Sequence, residues 1–169
     1  EVTIRRCDKT VKDSQGRTRR SLDHKTVLLL PTEVMRKKLL EYGAMKIVVK
    51  KGKEIWQSTS RPYLRSNDDL EILNRYNSEI RGIYNYYCLA NNCCILNSFY
   101  YVMKESMLKT FSSKYDSTVR KIARKYIHDK LFTVQYENRR GEILERTLYH
   151  DGFKQKKDAR LDFADQLPR

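Results

Sequence analysis

Chemistry in this sequence is densest in the run Arg81-Gly82-Ile83-Tyr84-Asn85-Tyr86-Tyr87, which packs aromatic rings and hydrogen-bonding groups into two turns of a helical pattern. A glycine inside a helix costs on the order of 1 kcal/mol, so Gly82 points to close approach of another backbone or of a ligand. Asn85 and Tyr86 fall off the apolar stripe of that helix and can face a partner. A nucleic-acid base stacked on such a ring contributes about 1–3 kcal/mol. The same tyrosines can equally pack an interior with their hydroxyls at its rim. A second run, Lys104 to Lys125, carries Lys109, Lys114, Arg120, Lys121, Arg124 and Lys125 with only Glu105 and Asp116 as acids. A duplex or folded-RNA backbone suits it; a solvated helical face is the plainer alternative.

Covalent catalysis finds no support. There is no GxSxG, P-loop, HExxH or paired-carboxylate motif in polymerase or nuclease context. His24, His128 and His150 are scattered, without the partners a catalytic constellation demands. The pair Asp68-Asp69 opens a helix, where capping explains it. Cys7, Cys88, Cys93 and Cys94 form neither a CxxC pair nor a zinc ladder, and Cys88, Cys93 and Cys94, in an aromatic-rich helical stretch, read as small buried hydrophobes of a reducing compartment. No transmembrane run is present, and the opening EVTIRR lacks a signal-peptide core and reads as a cut within a longer protein.

Thirty-five Lys and Arg against 21 Asp and Glu give a net charge of +14, on a chain still 40% hydrophobic. That is a folded basic protein rather than a disordered tail. Such a field attracts phosphate backbones by steering and by counterion release, with an anionic membrane surface or an acidic protein as competing partners.

The elements that must position these residues can be read from periodicity. Residues 1–26 form a basic linker with a short alternating piece at Val2 to Arg6. Residues 27–130 form a helical domain: a short amphipathic helix from Pro31 and Thr32 to Gly43, a connecting region over 44–65 with one strand at 46–50, then three helices. The first of these begins at Ser66-Asn67-Asp68-Asp69 and carries Leu73, Tyr76, Ile80, Ile83 and Tyr87 inward. The second runs from about Cys93 with Leu96, Phe99, Tyr100, Met103, Met107 and Phe111 on one face. The third starts at an Asp116 cap and turns Val119, Ile122, Ala123 and Tyr126 inward. Residues 131–169 add a hairpin, with its turn at Asn138-Arg139-Arg140-Gly141, and a charged tail. The fold class expected is mainly α, a helical bundle with a small β-hairpin near the C-terminus.

On these residues the chain resembles a known family, the maturase domain (domain X, the thumb) of group II intron-encoded reverse transcriptases. The string SNDDLEILNRYNSEIRGIYNYY places Ser66, Asp69, Ile72, Tyr76, Asn77, Arg81, Gly82, Asn85, Tyr86 and Tyr87 in the family pattern. Ser106, Thr110 and Lys114 fill a second one, with Ser112 where a small alanine is often found. The catalytic aspartate motif of the polymerase is absent, as is the CxxC of an appended endonuclease.

The resemblance implies a thumb that binds group II intron RNA to assist splicing and grips an RNA template with its DNA primer. The RNA-contacting residues would be Arg81, Asn85, Tyr86, Ser106, Lys109, Thr110, Lys114, Arg120, Lys121, Arg124 and Lys125. Arg139, Arg140, Lys154, Lys156 and Lys157 would be candidates for target DNA. No cofactor is implied for this chain, and magnesium only for the polymerase domain outside it. An intracellular setting is implied, a bacterial cytoplasm or an organelle matrix. The competing reading is a protein-interaction bundle whose aromatic stripe docks a partner helix without specific RNA binding.

Overall fold

The computed structural model describes residues 2–5, 15, 25–138 and 140–156. The basic loop expected between the first two strands lies outside them, apart from Gln15, as do Arg139, Lys157 and the end of the tail. Strand β1 (Val2–Arg5) pairs antiparallel with β2 (Lys25–Leu28), Val2 opposite Leu28. Helix α1 (Thr32–Glu41) follows Pro31, whose fixed φ suits the entry, and ends at Gly43 in the left-handed region at φ +66°. Strands β3 (Met45–Lys50) and β4 (Lys53–Ser58) form a hairpin.

A 3-10 turn over Pro62–Leu64 leads into α2 (Asp69–Tyr87), and another over Cys93–Ile95 into α3 (Leu96–Lys114). Helix α4 (Val119–Tyr126) is short and runs straight into β5 (Ile127–His128), which pairs with β6 (Leu131–Glu137); β6 pairs in turn with β7 (Ile143–Thr147).

The expectation of a mainly α bundle is therefore corrected to a mixed α/β fold. Among the described residues four helices are interleaved with seven short strands in three small antiparallel sheets. The C-terminal hairpin is present, and β5 extends it to three strands.

One core joins the whole. Met35 and Leu39 of α1, Leu73, Tyr76 and Ile80 of α2, and Phe99, Met103 and Phe111 of α3 are buried together with Phe132, Val134, Leu148 and Phe153. Phe111 meets Phe132 edge-on at 5.1 Å, and Tyr126 stacks on Phe132 at 5.2 Å. The strand that enters α1 is tied to the loop after α2 by paired amide contacts. Asn91 Oδ1 accepts from the Leu28 N–H at 3.0 Å, and the Asn92 side chain bonds both the N–H and the carbonyl of Leu30.

Two helix starts differ from their sequence-based placement. Asp116 sits at φ +45°, outside any helix, and the cap of α4 is Thr118, whose hydroxyl accepts from the Lys121 N–H. At α2 the residue before the helix is Asp68, whose side chain makes no capping bond. Asp69 turns instead towards three donors from other elements.

Candidate nucleic-acid interface

Spacing of three and four leaves Glu71, Asn74, Arg75, Ser78, Arg81, Gly82, Asn85 and Tyr86 as the outer strip of α2. Tyr86 is 78% exposed, with its ring edge-on to Tyr87 at 4.7 Å. The Arg81 guanidinium lies 5.9 Å from the Tyr149 ring. Among the described residues no other element closes on Gly82, since nothing beyond its own helix lies within 4 Å of where a Cβ would sit. It floors an open hollow of about 330 Å³ between α1 and α2, bordered by Val34, Lys38, Tyr42, Tyr86 and Tyr87.

Tyr84, on the flank of the same helix, recruits the segment after β7. Its hydroxyl donates to the Lys154 carbonyl at 2.9 Å, and its ring meets Phe153 at 5.5 Å. The Lys156 N–H donates to the Cys88 carbonyl at 2.8 Å. Lys154 and Lys156 are thereby held, exposed, beside the C-terminal half of α2 that presents Arg81, Asn85 and Tyr86. Arg140 is exposed in the hairpin turn, where its N–H donates to Asn138 Oδ1 at 2.8 Å.

The α3 residues behave otherwise. Ser106 and Thr110 have no exposed surface, so the surface contact expected of them has no room in this fold. They build an internal network. The Tyr76 hydroxyl lies 2.9 Å from Ser106 Oγ and 3.0 Å from Thr110 Oγ1, Ser106 donates to the Thr59 carbonyl, and Thr110 accepts from the Arg61 N–H. Arg61, also fully buried, donates to Glu79 Oε2 at 2.7 Å and to the Tyr42 carbonyl at 2.6 Å, with its guanidinium 4.6 Å from the Tyr76 ring centre. Neither Arg61 nor Glu79 figures among the residues expected from sequence. The only signal was that Glu79 falls in the 72, 76, 79, 83 row of the buried face.

Lys109 and Lys114 are half-buried fasteners. Lys109 Nζ donates to the Ser58 carbonyl at 2.7 Å, joining α3 to the end of β4. Lys114 Nζ donates to the Asn67 carbonyl at 2.7 Å and to Asp69 Oδ1 at 2.6 Å, joining the end of α3 to the start of α2. Asp69 also accepts from the Tyr115 and Tyr126 hydroxyls at 2.6 and 2.8 Å. Burial alone would push its carboxyl up, but the hydrogen bonds from Lys114, Tyr115 and Tyr126 and the Lys114 charge outweigh it and hold the pKa below the usual 3.8.

A group depressed in the folded state stabilises fully above its unfolded pKa and loses that contribution as pH falls through the folded value. Urea melts of Asp69→Asn should therefore show lower stability at neutral pH and a flatter acid limb below about pH 4 than the parent. An acid limb of unchanged steepness would reject this role for the carboxylate.

Beyond this clasp lies α4. Ile122 and Tyr126 are buried, which turns Arg120, Lys121, Arg124 and Lys125 to solvent, and all four are exposed. None of the four is in an ion pair among the described residues. Lys125 lies over the Tyr115 and Tyr126 rings at 5.0 and 4.9 Å. Asp69 and Tyr86 stand about 25 Å apart along α2 at 1.5 Å per residue, so the α4 face and the Arg81–Tyr86 strip mark opposite ends of that helix.

Among the described residues no group of three His, Cys, Asp or Glu could hold a metal ion, and no helix is long and apolar enough to cross a membrane.

Comparison with known proteins places these features in a family context. A family model for type II intron maturases matches residues 23–161. Over 121 residues the chain is 39% identical to the group II intron-encoded protein LtrA of Lactococcus lactis subsp. cremoris, covering 72% of this chain and 20% of that protein. The LtrA protein of strain MG1363 matches with the same identity and coverage. The chain thus spans about a fifth of the length of the curated relatives it matches.

Proposed function

The chain belongs to the type II intron maturase family, and from that premise we propose that it binds folded group II intron RNA through the cationic face of α4. Its contribution is binding energy that stabilises an RNA fold, not covalent catalysis. The observation that carries this reading is the α4 surface itself, four exposed cations, in no ion pair among the described residues, on an eight-residue helix whose Ile122 and Tyr126 are locked inward. Arg and Lys in such an array replace condensed counterions along a phosphate backbone. Arg81, Asn85 and Tyr86 extend the interface at the other end of α2, with a ring available for stacking. In the longer protein the same surface would grip an RNA template paired with its DNA primer. Lys154, Lys156 and the hairpin-tip Arg140 are the proposed contacts for target DNA.

The test is the salt dependence of binding. With Lys121, Arg124 and Lys125 all changed to Ala, the slope of log affinity against log salt for a group II intron RNA should fall by about 2–3, since each lost phosphate contact removes about 0.7–0.9. Folding stability should stay within about 0.5 kcal/mol per site, as expected for exposed side chains. An unchanged slope, or negligible affinity of the parent chain for the RNA, would favour a protein-docking bundle. Changing Arg140, Lys154 and Lys156 to Ala should weaken binding to duplex DNA more than binding to the intron RNA. Equal loss on both would reject the division.

A further inference from the structure

We propose that the β3–β4 hairpin is a second contact for nucleic acid, a lysine-tipped ribbon that grips the phosphate backbone of an RNA duplex. The register makes Lys46 and Gln57, Val48 and Ile55, and Lys50 and Lys53 directly opposite pairs. Residues opposite each other share a face, so these six form one side of the ribbon. The other side carries Met45, Ile47 and Trp56 against the body of the domain. On the outer side Lys46, Lys50 and Lys53 are exposed, as is Lys51 in the turn.

Two features of the tip work against its own stability. Lys50 faces Lys53 across the ladder, a like-charge pairing that destabilises a hairpin. Lys51 holds φ +50° and Gly52 φ +73° in a two-residue loop, where Asn or Asp would suit the first position better than a lysine. No ion pair relieves the charge. Among the described residues none of Lys46, Lys50, Lys51 and Lys53 is paired, and the one acid in the ribbon, Glu54, is directed to Arg36 of α1 at 3.5 Å. A polyanion laid across the tip removes the repulsion and uses every one of these cations.

The absence of an exposed ring points to the backbone as ligand rather than unstacked bases, because the ribbon's one aromatic residue, Trp56, is half-buried on the inner side. Side chains cannot read the deep groove of A-form RNA, so a duplex offers such a ribbon its phosphates. The base of the ribbon is fastened to α3 through Lys109 and Ser58, and α4 packs against the same helix. Ribbon and α4 are therefore two grips mounted on one rigid element. This inference rests on the nucleic-acid reading above and adds a site to it.

The experiment is fluorescence anisotropy of the 169-residue chain on a labelled RNA duplex of mixed sequence across a salt series. It compares the parent, the triple variant Lys50→Gln/Lys51→Asn/Lys53→Gln, and Lys50→Arg/Lys53→Arg. The neutral variant should lower the salt slope by about 2–3 and weaken binding about tenfold or more at moderate salt. Its melting temperature should hold or rise, because repulsion and turn strain are relieved. The arginine variant should bind like the parent.

If the neutral variant keeps the parent's slope while the α4 variant loses its own, the ribbon is merely solvated and this proposal fails while the α4 reading stands. If neither changes the slope, both fail. A melting temperature that drops in step with affinity would make the tip structural and overturn the proposal. So would binding to phosphatidylserine vesicles that depends on these lysines when duplex binding does not.

Discussion

Replacing Glu79 with alanine should cost the domain about 3–5 kcal/mol of folding stability, the range for removing one partner of a buried ion pair. Glu79 is the carboxylate against the fully buried Arg61 guanidinium. Arginine cannot discharge itself by losing a proton. Once Glu79 is gone, its charge keeps, among the described residues, only the Tyr42 carbonyl and the rings of Tyr76, Tyr42 and Tyr63. Arg75, which binds the other carboxylate oxygen at 2.8 Å, is 59% exposed, and its removal should cost under about 1 kcal/mol. The double change Arg61→Met/Glu79→Leu should recover most of the loss, since an apolar pair of similar volume carries no desolvation penalty. Urea melts of the three variants give the answer; equal costs for Arg75→Ala and Glu79→Ala would show that burial does not govern this pair.

This buried pair also decides how substitutions at Ser106 and Thr110 are to be read. Both residues fall in family-pattern positions, yet both are enclosed with Arg61, Tyr76 and Thr59. Loss of RNA affinity on changing either one acts through the seating of α3 against α2, and the folded fraction should keep the parent's salt slope.

The long helices were legible because their apolar residues recur at three and four: Leu73, Tyr76, Ile80 and Ile83 are all buried, as are Leu96, Phe99, Met103, Met107 and Phe111. The polar residues Ser106, Thr110 and Asn77, placed from sequence only by the family pattern, lie inside the same rows. Ser106 and Thr110 continue the row of Phe99 and Met103, and Asn77 that of Leu73 and Ile80, so spacing already turned them inward. The strands were harder. Lys53 to Ser58 shows a charged and partly exposed pattern, and its turn, Lys51-Gly52, lacks the Asn or Asp that marks a two-residue hairpin. Strand β5 is two residues long and draws its pairing from β6 rather than from its own composition. The α4 cations were legible as a run whose spacing turned Ile122 and Tyr126 inward, and the structure has those two buried and all four cations exposed.

Asn77→Ala is the second change expected to act strongly, by about 2–4 kcal/mol, since each buried polar group left without a partner costs about 1–3. The Asn77 amide donates to the Thr147 carbonyl at 2.9 Å and its oxygen accepts from the Tyr149 N–H at 2.7 Å. One side chain thus serves the Thr147 carbonyl and the Tyr149 N–H on either side of the Leu148 N–H that donates to the Phe132 carbonyl, and seats Leu148, Tyr149 and Phe153 in the core. Asn77→Asp keeps the acceptor for Tyr149 but loses the donor to Thr147, so its cost should come from that half of the anchor and from the added charge. Hydrogen exchange locates the effect: the Tyr149 amide should lose protection in the alanine variant and retain more of it in the aspartate variant. A Tyr149 amide that stays fully protected in Asn77→Ala would mean that the apolar residues and the bonds at Leu148, Lys154 and Lys156 hold the segment without Asn77. The consequence for binding follows from the same geometry. Lys154 and Lys156 reach the Arg81–Tyr86 strip only while residues 148–153 are docked, so undocking should weaken duplex DNA binding before it touches the α4 face.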